Sequence, residues 1–306
     1  MRDETEPEPE QRKVPLPIQR EVRQRCGFGC VICGLPLYEY EHMLEWAAVK
    51  RHVADEITLL CDQHHREKTG KLLPPEKVAE ANANPLNLRT GHSKPYTLHY
   101  SGTECEISIG GCTFTTKDAG YGTSTAALVI DDVPMLGFVL GDGHLLLHLN
   151  LFNEFNEQAL RIANNALVYS TSPWDIRLTG RRLEIREDHG KFLVGMSFEV
   201  PNRVVIDQGR FMLNGIEVVI EPDFVAVLNN KLLLQGCSAV NVPVGICLGT
   251  QDTPRASMMR IHKLPRHSGE SRAATKAWVD ALIAKTSEMR RFKDPSADEA
   301  WRRSET

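Results

Sequence analysis

The hydrophobic and polar positions divide the chain into two parts with different periods. Near the amino end, apolar residues spaced three or four apart, such as Ile18 and Val22, predict short amphipathic helices. Gly70 and paired prolines mark where these helices end or begin again. The elements expected here are a helix over 17–25, extended chain over 36–46, a strand over 57–61, and helices over 62–69 and 75–83.

From residue 96 to about residue 249 the pattern is that of short strands. Apolar runs recur every eight to ten residues and are separated by turn pairs such as Asn214-Gly215. Four stretches are typical of complete hairpins, and one of them, 204–213, is expected to turn near Asp207. The predicted strand cores are 106–109, 126–130, 145–149, 166–169, 176–178, 211–213, 218–220, 225–228 and 232–234.

The last part of the chain predicts a linker and one helix. Ala274, Trp278, Leu282 and Met289 share one stripe of a helix expected over 270–292. The whole pattern predicts an α+β protein in which a small domain precedes a larger all-β domain, sandwich or solenoid-like, and a C-terminal helix. The expected division is a disordered lead-in (1–15), a first domain (16–95), the all-β domain (96–250), and a linker with the helix (251–306).

Composition and charge narrow the class of protein. Hydrophobic residues make up 42% and charged residues 25%, as in ordinary globular proteins. No apolar run is long enough to span a bilayer and the first residues are acidic, so we expect a cytoplasmic protein with no membrane partner. Residues 11–95 carry a charge of +3 and 251–306 carry +4, whereas 96–250 carry −7 and would repel phosphate.

The cysteines predict a metal site near the amino end. Cys30 and Cys33 are separated by two residues, and so are Cys61 and His64, which lets each pair aim two ligands at one ion. We therefore expect a closed tetrahedral site for structural Zn²⁺, with Cys26 as the alternative to His64. The cysteines of the β part are expected to be buried and inert: Cys105, Cys112, Cys237 and Cys247.

A second group of polar residues surrounds this site. His42 follows Glu41, and His65 directly follows His64. Neighbouring residues of a helix point about 100° apart, so His64 can face the zinc while His65 faces a separate cleft. A carboxylate with two imidazoles suits metal-assisted hydrolysis of a phosphodiester, in which an imidazole takes a proton from water.

Together these motifs resemble an HNH endonuclease, a ββα-metal nuclease, over residues of about 17–90. The matching residues are the CxxC pair, Glu41-His42, and the run from Leu60 to Lys68. The resemblance implies structural zinc on Cys30, Cys33, Cys61 and His64. It further implies that His42 is the general base, and that Glu41 and His65 bind a catalytic Mg²⁺ or Mn²⁺.

One position departs from the family pattern. Glu56 stands where the family has an asparagine that orients the loop of the general base. An ionised glutamate only accepts hydrogen bonds, so Glu56 becomes an extra catalytic ligand, or His52 takes over, or turnover is slow. Nucleic-acid contacts are expected from basic residues, with an ordinary surface role as the alternative: Arg20, Arg23, Arg25 and Lys68.

The resulting hypothesis is a metal-dependent DNA endonuclease in a restriction or phage-defence setting. The β domain would form a homo-oligomer, or recognise a protein or small-molecule trigger. The alternative is a zinc-stapled DNA-binding module whose nuclease site has lapsed. A third hypothesis is a self-assembling structural protein.

Overall fold

The computed structural model describes residues 13–44, 50–117, 122–141, 144–249 and 256–267, with 277, 278, 281 and 284. The chain divides into two compact units. Unit 1 comprises Met1–Tyr96 and Ser170–Leu178, and unit 2 comprises Thr97–Tyr169 and Thr179–Thr306. The segment 170–178 thus groups with the amino-terminal part although it lies inside the predicted β domain. The predictions for residues 1–12 and for most of 251–306 fall outside the described residues.

Unit 1 combines a β-hairpin with short helices. The predicted helices and the strand at 57–61 are confirmed to within a residue or two. Of the extended stretch predicted over 36–46, residues 36–44 are described, and they contain one strand of four residues. The described elements are α1 (Leu16–Arg25), β1 (Glu39–His42), β2 (Ile57–Leu60), α2 (Asp62–Thr69), α3 (Pro75–Ala83) and α4 (Leu86–Thr90).

The hairpin and the helix that follows it hold the polar residues of interest. β1 runs antiparallel to β2, so Glu41 lies opposite Thr58 and His42 lies opposite Ile57. Every residue of β2 is buried, because this strand is apolar almost throughout and passes through the core of the unit. Helix α2 begins immediately after β2, which places its first turn beside the strand carrying Glu41 and His42.

A buried ion pair ties residues 170–178 to α1. Arg23 is 4% exposed, and its guanidinium donates two hydrogen bonds, of 2.8 and 2.6 Å, to the carboxylate of Asp175. A third hydrogen bond, of 2.7 Å, goes to the hydroxyl of Tyr40. Burial alone would lower the pKa of Arg23, but the Asp175 carboxylate outweighs that effect and raises it. The Arg23 guanidinium is therefore charged inside the unit.

Unit 2 consists mainly of two open sheets. The first sheet contains β6 (Ser124–Ile130), β7 (Val133–Gly141), β8 (His144–Phe152), β9 (Gln158–Ala163), β10 (Ala166–Tyr169), β19 (Val244–Leu248) and β20 (Ser257–Ile261). In it, β6 to β10 form an antiparallel meander, with β19 parallel to β6 and β20 parallel to β19.

The second sheet contains β4 (Cys105–Ile109), β5 (Cys112–Thr116), β12 (Arg182–Asp188), β13 (Lys191–Glu199), β14 (Arg203–Leu213), β15 (Ile216–Glu221), β16 (Phe224–Val227), β17 (Leu232–Leu234) and β18 (Ser238–Val240). In it, β12 to β17 form a meander, while β4 pairs with β14, β5 with β4 and β18 with β5. Two further strands, β3 (Tyr96–Thr97) and β11 (Asp175–Thr179), cross the boundary between the units.

An α+β protein with a large β part is therefore confirmed, but one predicted hairpin is wrong. Residues 204–213 do not turn near Asp207, because they belong to the single long strand β14. The Asp207 carboxylate accepts hydrogen bonds of 2.7 and 2.8 Å from Arg182 on the second strand along the sheet. Its polarity thus reflects a charged sheet face rather than a turn.

The predicted C-terminal helix is partly described. Residues 277, 278, 281 and 284 are helical, and Trp278 packs on the apolar cluster Val219, Phe224, Ala226 and Leu228 of unit 2. The rest of that helix lies outside the described residues. Within the part of the chain that the structure describes, no helix is both long and apolar enough to cross a membrane.

The first prediction concerns the buried ion pair. Asp175→Asn should destabilise unit 1 by about 3 kcal/mol, because it leaves the Arg23 charge buried without its partner. Thermal unfolding of the full chain measures this. Asp62→Asn is the matched control, since Asp62 is an exposed member of a surface ion pair and should have little effect. Equal stability of the two variants would contradict the role given to Asp175.

Candidate metal centre

A tight turn brings the side chains of Cys30 and Cys33 close together. The Cys30 amide donates to the Leu35 carbonyl at 3.0 Å, and the Gly34 amide donates back to the Cys30 carbonyl at 2.8 Å. Gly34 has a φ of +75°, and a Cβ atom there would lie 2.3 Å from Oδ1 of Asn87. Glycine is therefore required at this position, and the buried Asn87 of α4 braces the turn by donating to the Gly27 carbonyl at 2.9 Å.

The turn, the end of β2 and the start of α2 bring four donor atoms together. The ligand atoms of Cys30, Cys33, Cys61 and His64 all lie within 4.8 Å of one another. His64 Nδ1 is 3.3 Å from the Cys30 sulfur and 3.2 Å from the Cys61 sulfur, and the Cys33 and Cys61 sulfurs are 3.7 Å apart. Tetrahedral zinc with these ligands requires donors about 3.5 to 3.8 Å apart, so the residues present fit the ion.

The electrostatics of the cluster also favour a cation. The hydrogen bond between the first two thiols lowers the pKa of Cys30 and raises that of Cys33. A divalent ion would stabilise both thiolates. Cys26 stays outside this cluster: its sulfur lies 3.7 Å from Asn82 Oδ1, and burial raises the pKa of its thiol. Of the two alternatives for the fourth ligand, the described geometry favours His64.

His65, which follows His64 on α2, contacts a carboxylate rather than the thiol cluster. His65 Nε2 lies 2.9 Å from Oε2 of Glu41, while Lys68 contacts the other oxygen, Oε1, of the same carboxylate. The Lys68 ammonium also donates to the His42 carbonyl at 2.8 Å. Glu41 and His65, the residues expected to hold a catalytic ion, are thus brought together. Lys68 is not a free surface cation, because it already neutralises Glu41.

Glu39 is a member of this group that the sequence analysis missed. Its Oε2 lies 3.5 Å from His65 Nδ1, on the opposite edge of the ring from Glu41. The signal was present, because residues two apart on a strand share one face and β1 contains Glu39 and Glu41. His65 is therefore flanked by two carboxylates.

His42 lies on the other face of β1 and contacts a second imidazole. Its Nε2 is 3.2 Å from Nδ1 of His52. Burial and the neighbouring His52 lower the pKa of His42, which favours the neutral ring. Glu56 accepts a hydrogen bond from Arg51, and this hydrogen bond lowers the pKa of Glu56. Glu56 is therefore an ionised acceptor bound to arginine.

The three arginines of α1 are not on an open basic surface. Arg23 is buried against Asp175, and the Arg20 guanidinium stacks 4.5 Å from the ring centre of Trp174. Arg25 donates to Asn82 and to backbone carbonyls at 54 and 57. The expected exposed nucleic-acid contact is wrong for Arg23, because its guanidinium is buried and fully engaged. Arg20 and Arg25 are partly exposed and also have partners within the chain.

Comparisons with protein-family models, curated proteins and solved structures found no match for this chain. A hypothesis about the function of the protein must therefore rest on the geometry of these residues.

The metal cluster generates the second prediction. Cys33→Ala should lose bound zinc and unfold unit 1, because a closed zinc site contributes on the order of 10 kcal/mol to folding. Zinc content by elemental analysis and thermal unfolding measure the two effects. Cys26→Ala removes a buried thiol outside the cluster and should retain one zinc per chain. A full equivalent of zinc on Cys33→Ala would contradict the ligand assignment.

Proposed function

We propose that unit 1 is an HNH-type, metal-dependent endonuclease acting on DNA. The observation that supports this most directly is the divergence of two neighbouring histidines on α2. His64 faces the thiol cluster, whereas His65 faces the carboxylate of Glu41, the residue that precedes His42 on β1. A carboxylate with an imidazole is a donor pair that could hold a divalent ion for metal-assisted hydrolysis of a phosphodiester.

In this proposal the chain's own residues move the proton and orient the base. His42, neutral because its pKa is lowered, accepts a proton from the attacking water at one ring nitrogen. His52, hydrogen-bonded to His42, fixes the orientation of that ring and replaces the family's asparagine. A divalent Mg²⁺ or Mn²⁺ ion held by Glu41 and His65 would neutralise charge on the phosphate and the leaving oxygen.

A second candidate is supported by a specific contact. This alternative is a zinc-stapled DNA-binding module, in which the nuclease site is inactive and unit 1 only binds the duplex. The ion pair between Lys68 and Glu41 favours this alternative, because a divalent ion must displace or share that ammonium. The salt bridge between Arg51 and Glu56 also favours the DNA-binding alternative, because it engages Glu56 with an arginine rather than with the proposed metal ligands.

Unit 2 would choose the target or assemble the enzyme. Residues 96–250, which make up most of unit 2, carry a charge of −7 that argues against DNA as the ligand of this strand-rich part, so we propose that it forms a homo-oligomer or recognises a protein or small-molecule trigger. A restriction or phage-defence role in the cytoplasm belongs to this proposal, since a trigger would confine cleavage to the invading DNA.

The third prediction tests the base. His42→Ala should reduce nicking of plasmid DNA in Mg²⁺ or Mn²⁺ by about 100-fold or more while leaving zinc content unchanged. His99→Ala, a substitution at an exposed histidine of unit 2, is the control and should cut like the wild type. Binding of DNA without cleavage by all three proteins would instead favour the lapsed-site module.

The fourth prediction tests the departure at Glu56. Glu56→Asn should raise the rate of nicking several-fold, because the amide can donate a hydrogen bond and Glu56 is engaged by Arg51 rather than by the proposed metal ligands. Glu76→Asn, at an exposed position of α3, should leave the rate unchanged. A loss of nicking in Glu56→Asn would show that this glutamate supports the site.

A further inference from the structure

Two cysteines of unit 2, far apart in sequence, lie side by side in the second sheet. β18 runs parallel to β5 with Ser238 opposite Thr113, so the preceding residues, Cys237 and Cys112, lie opposite one another. The backbone fixes this position, because the Thr113 amide donates to the Cys237 carbonyl at 2.8 Å. Both cysteines are reduced in the structure.

The two thiols differ in their access to solvent. Side chains at opposed positions of neighbouring strands share one face of the sheet, so the register of β5 and β18 places the two thiols near each other, close enough for Cys237 to affect the pKa of Cys112. Cys112 is fully buried, whereas Cys237 is partly exposed. An oxidant arriving from solvent therefore meets Cys237 first, with Cys112 directly behind it.

We propose that Cys112 and Cys237 are a dithiol site that closes to a reversible disulfide by exchange with a small disulfide of the oxidised-glutathione class. The partial exposure of Cys237 corrects the expectation that all four cysteines of the β part are buried, and the proposal departs from the expectation that they are inert. The proposal is independent of the nuclease assignment, because all the residues involved lie in unit 2.

The exchange takes place in two balanced steps. The Cys237 thiolate attacks one sulfur of the small disulfide, forming a mixed disulfide and releasing one small thiolate. The Cys112 thiolate then attacks the Cys237 sulfur, forming the protein disulfide and releasing the second small thiolate. The two protein thiols lose two electrons, the small disulfide gains them, and the two protein protons end on the released thiols.

The environment of Cys112 sets the order of these steps. Burial raises the pKa of Cys112 to about 11, so this thiol is a poor first nucleophile even apart from its inaccessibility. Once a mixed disulfide forms on Cys237, the adjacent position of Cys112 gives the second attack a high effective concentration. Cys237 is thus the attacking thiol and Cys112 the resolving thiol.

The disulfide would fasten an otherwise weakly held strand. Among the described strands, β18 pairs with β5 alone, through three residues. A covalent link there closes a loop that contains most of the two sheets, and closure of long loops restricts the unfolded chain most strongly. Oxidation would therefore stabilise unit 2 and hold β18 against β5.

The test uses the zinc-loaded full chain incubated with oxidised glutathione, then alkylated and digested for mass mapping. We expect a Cys112–Cys237 linkage in most chains, faster migration in non-reducing electrophoresis, and a rise of about 5 °C in the unfolding midpoint of unit 2. Dithiothreitol should reverse all three. Cys237→Ser, at the partly exposed position, should abolish the linkage without loss of folding.

Cys105→Ala is the matched control, because Cys105 lies buried on the adjacent strand β4 and should not affect the linkage. The proposal is overturned if Cys237 stops at a mixed disulfide with glutathione. It is equally overturned if Cys237 pairs with a cysteine other than Cys112, or if it remains a free thiol.

Discussion

The convergence of three thiols and one imidazole is the constraint on which unit 1 depends. The ligands come from the turn at residues 30–33, from Cys61 at the end of β2, and from His64 in the first turn of α2. Three separate parts of the backbone therefore meet within a few ångströms in a unit with a small apolar core. A bound cation would stabilise the close thiolates, so binding of a metal ion to this cluster would be coupled to the folding of unit 1.

This constraint also determines where the polar residues of α2 point. Because His64 is held by the cluster, the direction of α2 is fixed, and His65 and Lys68 must face the strand that carries Glu41. The residues of this cluster thus position the proposed catalytic group without belonging to it. Loss of the cluster would disperse the candidate site as well as the fold.

Local patterns in the sequence were enough to predict the helices of unit 1, the four residues that cluster where a metal ion could bind, and the strand-rich character of unit 2. They act over a few residues, where helical spacing, strand alternation and CxxC pairs have direct geometric consequences. The partnership of Arg23 with Asp175 joins residues 152 positions apart and leaves no local signal. The position of Cys112 beside Cys237 likewise leaves no local signal. Asp207 led to the wrong prediction of a turn, because polar residues occupy both turns and charged sheet faces.

The grouping of residues 170–178 with unit 1 bears on how the protein is made. A nascent chain that has reached residue 96 carries all four residues of the cluster, yet Arg23 still lacks its carboxylate. That partner arrives only after the strands β4 to β10 have been synthesised. Unit 1 therefore becomes complete only when residue 175 has been synthesised, and a fragment ending near residue 95 would lack this ion pair.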